Sequence, residues 1–220
     1  MKTPHRVPAA WHFKPMLLLC AVALLVCGVV EHSSYAYVVD ITAGPKSIYL
    51  QVGAGSLTGT DYSSGGIPGN NAIVNRVSVT VPSASVGTGT QAMTTDSLVV
   101  DSAYDSFPYC TVPNEVYIGG FLRTPGVSAN ATLSVTAPSA LTSATGSAIA
   151  FNTISWISSG SGDVAPTLPS GTFVGGAAQT LINVARNTWF ESCLQFNYAN
   201  NKIVPPGTFT GRVQYTLTAP

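Results

Sequence analysis

Beyond residue 45 the apolar side chains of this sequence recur at every second position, and no stretch repeats them at the three-and-four spacing of a helix. Successive side chains of a strand point to opposite faces, so a period of two predicts strands with one buried face. Residues 46–52 set Ile48, Leu50 and Val52 against Ser47, Tyr49 and Gln51. Residues 73–81 set Ile73, Asn75, Val77, Val79 and Val81 against Val74, Arg76, Ser78 and Thr80, and Pro82 ends the run. Further strands are expected at 37–42, 97–102, 115–123, 130–137, 151–158, 179–186, 192–198 and 208–219, separated by Gly, Pro, Ser and Asn clusters. The fold class that follows is all-β, an antiparallel Ig-like or Greek-key β-sandwich. Residues 53–71, with six glycines, read as a long irregular surface loop, and 138–146, where Ala and Leu recur, is the one place for a short helix.

The first 36 residues read as an address. Lys2, His5, Arg6 and Lys14 form a basic region ahead of an uncharged stretch of fifteen residues, 16–30, and Ser34-Tyr35-Ala36 supplies small residues for cleavage after Ala36. A bilayer-spanning helix needs about twenty apolar residues, which favours a cleaved secretory signal over an anchor. Leu25-Val26-Cys27-Gly28 resembles a lipidation site only superficially, because Val26 is bulky where a small residue is required. The expected organisation is therefore a signal peptide, 1–36, followed by a single secreted β-sandwich domain, 37–220, with no membrane span.

Charged residues make up only 8% of the chain, against about a quarter in ordinary soluble domains. Residues 37–220 hold six Lys and Arg against eight Asp and Glu, so nothing provides the basic surplus that nucleic acid requires. All three histidines, His5, His12 and His32, lie in the leader. The exported domain thus has no histidine for a Ser-His-Asp or Cys-His nucleophile, for general-base catalysis or for a zinc site. Cys20 and Cys27 also fall in the leader, leaving Cys110 and Cys193 as an even pair in an oxidising compartment, where a disulfide is the expected state. Closing so long a loop stabilises the fold by about 4 to 5 kcal/mol at most.

Three features invite a chemical reading. Asp96, Asp101 and Asp105 are close enough in sequence to suggest a carboxylate pair or a calcium loop, but no calcium-loop pattern accompanies them and solvated aspartates are the simpler reading. Asn130-Ala131-Thr132 fits the N-glycosylation pattern. Trp189 and Phe190, close to Cys193, either form an aromatic platform for sugar rings or fill the core, with Trp156 doing the same from the facing sheet. No catalytic, cofactor or metal site is expected.

Residues 204–218 close the chain with Pro205-Pro206-Gly207-Thr208-Phe209, a turn, followed by an alternating strand with Val213, Tyr215 and Leu217 on one face. This segment resembles the closing strand of bacterial chaperone-usher pilins and the related spore-coat-U-like fimbrial domains. The resemblance implies an incomplete sandwich completed by a neighbour's N-terminal strand, a self-made polymer and a periplasmic chaperone. Tyr37, Val39 and Ile41 would be the residues inserted; alternatively they form the first strand of a complete domain. The functional expectation is a non-catalytic, secreted or cell-surface structural or adhesive protein. A secreted carbohydrate-binding module is the alternative, and a carboxylate-based glycosidase stands third.

Overall fold

A computed structural model describes residues 39–59, 67–68, 74–126, 130–161 and 166–219, all within one compact unit, Ser34–Pro220. The expected leader, 1–36, and Tyr37 lie outside the described residues. The described chain is built from strands: β1 (Val39–Asp40), β2 (Ser47–Val52), β3 (Gly55–Gly59), β4 (Ile67–Pro68), β5 (Val77–Ser78), β6 (Gln91–Ala92), β7 (Thr94–Thr95) and β8 (Glu115–Arg123). There follow β9 (Ala131–Thr136), β10 (Ala140–Ser143), β11 (Ala148–Ala150), β12 (Ile154–Ser159), β13 (Gly171–Thr172) and β14 (Ala178–Val184). The last three are β15 (Thr188–Tyr198), β16 (Phe209–Thr210) and β17 (Gln214–Thr218). Two single-turn 3₁₀ segments, Ser83–Ser85 and Phe151–Thr153, are the helical structure among the described residues.

The large sheet runs β13-β12-β15-β8-β2-β3-β4, and every pairing within it is antiparallel. Its part β8-β2-β3-β4 has the strand that follows a meander returning beside the first, which is a Greek key. β15 is its central strand. One edge of β15 carries β1 and then β12, the other β8 and then β6. A three-stranded sheet, β14-β9-β17, forms the opposing layer. One apolar cluster joins the two: Ile48, Leu50, Ile118 and Phe190 from the large sheet, Leu133 and Leu217 from the small one. Each such side chain contributes roughly 1.5–3 kcal/mol when fully buried. The all-β antiparallel sandwich that the alternation predicts is the fold observed, and the expected Cys110–Cys193 disulfide is present in it.

Details depart from the expected strands where turns intervene. Residues 53–71 are not one irregular loop: β3 returns directly along β2 through a two-residue turn in which Gly53 takes φ 55°, a conformation that glycine adopts without strain. Residues 138–146 form no helix but the β10–β11 hairpin, turned at Gly146, φ 83°. Among the described residues 74–81 only Val77 and Ser78 pair, with β7, although Val77, Val79 and Val81 all pack on the core. The C-terminal run breaks at Gly211 into β16 and β17, which belong to different sheets, and Leu217 is buried with Val213 and Tyr215 packed beside it.

Candidate functional site

Alternation along β2, β8 and β15 sends every second residue away from the core, onto the outer face of the large sheet. There Tyr49, Phe121 and Trp189 stand in register on adjacent strands. Their ring centroids are 5.8 to 6.0 Å apart, within the range of favourable aromatic packing. Trp189 is only 5% exposed. Tyr104 lies against it from the chain segment above, 5.6 Å between centroids.

Of the two alternatives for Trp189 and Phe190, burial is the one this structure places: neighbours in a strand face opposite ways, so Phe190 is buried in the main core and Trp189 beneath Tyr104. Trp156 is likewise in the core, yet on β12 of the same large sheet rather than the facing one, its Nε1 donating to the Pro169 carbonyl at 2.9 Å.

The segment over Trp189, residues 97–112, is a hairpin held by its own backbone. Tyr109 and Cys110 N–H both donate to the Val100 carbonyl at 2.8 Å, and Ser102 N–H donates to the Phe107 carbonyl at 2.8 Å. At the tip, Ser106 takes φ 65°, and Asp105 Oδ1 accepts the Phe107 N–H at 3.1 Å.

Three tethers fix the hairpin to the sheet. The expected disulfide is present, joining Cys110 to Cys193 on β15. The second tether is Glu191, 8% exposed, whose Oε2 accepts Ser102 Oγ at 2.7 Å and the Tyr117 hydroxyl at 2.8 Å. Burial, with the Glu191 carboxylate adding to it, pushes the Tyr117 hydroxyl far above its ordinary range, so Tyr117 keeps its proton and donates. The Tyr109 hydroxyl donates to the Glu191 backbone carbonyl at 3.1 Å. Glu115 is the third tether, accepting Val112 N–H at 3.3 Å and the Ser159 hydroxyl. The Glu115 carboxylate and both cysteine sulfurs lie within 4.8 Å of one another. With the sulfurs bonded to each other, they are not thiolate ligands.

What this scaffold displays is apolar. Leu98 is 90% and Phe107 71% exposed, with Val100, Val112 and Tyr104 also exposed. No Lys, Arg or His occurs between residues 77 and 122, so the charged residues of the hairpin itself are acidic. Asp101 and Asp105 are exposed there. The three aspartates do not converge: Asp96 accepts Arg76 N–H at 2.7 Å and Asn75 Nδ2 at 3.1 Å. The first of these bonds does most to hold its carboxyl below the usual range.

Val39 pairs with Trp189, and Ile41 N–H donates to the Asn187 carbonyl at 2.8 Å, so in this structure both continue β1 along the chain's own β15. Asn130 of the glycosylation pattern is exposed immediately before β9. Sequence reasoning missed Glu191, Ser102 and Tyr117. A signal existed: Trp189, Glu191 and Cys193 share one parity of a strand, which puts a lone carboxylate on the disulfide's face. It also missed Asn200, buried with φ 42°, which donates through Nδ2 to the Ser85 and Gly89 carbonyls at 2.7 and 3.0 Å and accepts Gly87 N–H at 3.0 Å. No family model, curated protein or solved structure matches this chain.

Proposed function

We propose that the protein is a non-catalytic structural or adhesive subunit of the cell surface, exported by its leader and acting through contact with other proteins. The observation that carries this reading is the hairpin 97–112, where exposed apolar side chains sit on a covalently and internally tethered frame. Clustered exposed apolar groups mark interaction surfaces, and a preordered loop loses little conformational entropy on binding. The tethers at Glu191 and Glu115 serve position, since each carboxylate accepts one hydrogen bond from the hairpin and one from a sheet strand.

Strand addition is the finer form of this reading. β1 is two residues long, so Val39 and Ile41 lose few ladder bonds if a neighbour's N-terminal strand, led by Tyr37, takes their place along β15. A periplasmic chaperone is the partner that would cover the segment before assembly. The sugar-binding alternative draws on Trp189 and requires Tyr104 to move off its ring.

The test uses the full chain exported from an expression host, with Leu98→Asp and Phe107→Asp combined. Surface adhesion or filament formation, seen by electron microscopy, is expected to fail while thermal stability and the disulfide persist. Unchanged adhesion and assembly in a correctly folded double variant would refute the reading.

A further inference from the structure

Two surfaces of this molecule differ in charge and share an apolar character. The first is the hairpin, with Leu98, Phe107 and Val112 exposed beside Asp101 and Asp105. The second is the turn after β15, where Ile203 is 87% exposed next to an exposed Lys202. No acidic residue lies between Glu191 and the end of the sequence, so Lys202 has no carboxylate near it along the chain.

Both surfaces are preordered. Asn200 ties the base of the turn to residues 85–89 through its side chain. The hairpin is anchored at Cys193, and the turn begins beyond Tyr198, five residues farther along the strand, roughly 16 Å at the rise of a β-strand. The hairpin's covalent anchor and the start of the turn thus occupy different points along β15.

We infer that the Lys202–Ile203 turn of one copy docks on the hairpin 97–112 of a second copy, Ile203 against the apolar side chains and Lys202 toward Asp101 and Asp105. This rests on the hairpin being a contact surface, and it names the partner as the same chain. A contact between two different patches is heterologous, and repetition of it gives a ring or an open filament rather than a closed pair. The apolar contact supplies affinity; the charges set register and exclude the wrong orientation.

Charge reversal on each side provides the test. Lys202→Glu and Asp105→Lys are separately expected to weaken self-association of the full exported chain at least about tenfold in sedimentation velocity, which is roughly 1.4 kcal/mol. Mixing the two variants in equal amounts restores one swapped and one native contact per pair, so assembly returns only in the mixture. Association of the wild type should also weaken with added salt. Both residues are exposed, and circular dichroism checks that folding is retained. Assemblies that survive both single variants, failure of the mixture to recover, or a wild type that stays monomeric at every attainable concentration overturns the docking. The hairpin reading itself is judged apart from this, by whether Leu98→Asp with Phe107→Asp abolishes adhesion to surfaces lacking this protein.

Discussion

Replacing Glu191 by Ala withdraws the one carboxylate that both Ser102 and Tyr117 address. A hydrogen bond to a charged acceptor is worth about 1.5–3 kcal/mol, and a buried donor left without a partner costs about 1–3 kcal/mol. Two bonds are lost, and both hydroxyls belong to buried residues; against this, the desolvation cost of a buried carboxylate disappears. The net expectation is a loss of about 3–4 kcal/mol, weighing the broken bonds against that relief. Glu191→Gln keeps an oxygen for at least one hydroxyl and should lose only about 1–2 kcal/mol. Urea denaturation at neutral pH with the disulfide intact measures both. A double-mutant cycle with Tyr117→Phe isolates the pair and should return about 1.5 kcal/mol or more of coupling. Coupling indistinguishable from zero, or Gln as damaging as Ala, would show that Glu191 does not hold the hairpin.

Removing the disulfide by Cys110→Ala with Cys193→Ala should lower stability by up to about 4–5 kcal/mol, and limited proteolysis should then cut first within 97–112. Asn200→Ala forfeits three side-chain hydrogen bonds and should cost about 3 kcal/mol by urea titration, with faster amide exchange at residues 85–89. Gly120→Ala places a Cβ against the Tyr49 carbonyl oxygen, a backbone atom that cannot swing aside; the variant should fail to refold in a dilution assay that returns the parent. Tyr117 has a raised hydroxyl pKa in the folded state, so its contribution to stability is complete below the ordinary tyrosine value of 10.0 and falls as pH rises above it. Alkaline denaturation of Tyr117→Phe should accordingly begin at higher pH than that of the parent, once their neutral-pH stabilities are taken into account.

The fold class was legible because a two-residue period over buried faces admits little else, and β8 spans the same nine residues, Glu115–Arg123, as the strand read from sequence. Glycine was the main source of error. At Gly53 it makes a tight turn rather than announcing a loop, and at Gly146 it turns a hairpin where Ala and Leu hinted at helix. Local pattern cannot separate these uses, since the deciding contact is the strand that returns alongside. The disulfide was legible from count, because the expected leader takes two of the four cysteines and leaves an even pair. The site was not, because Glu191 gains its meaning only when residue 102, 89 positions earlier, folds onto it.

β15 sits between residues 188 and 198 of this sequence, and four other strands are zipped to its two edges. A chain emerging amino end first therefore presents β1, β6, β8 and β12 long before the strip that joins them exists. Until that strip arrives, β8 can pair on its β2 side alone, and Cys110 waits as a free thiol for a partner 83 residues behind it. Completion of the sheet therefore comes late: β2, β3, β4 and β8 can pair among themselves, whereas among the described strands β1 and β6 pair with β15 alone. Cleaving the gene after codon 187 should then yield a product in which the amides of β1 and β6 exchange freely, whereas protection of those two strands without β15 would contradict this order of events.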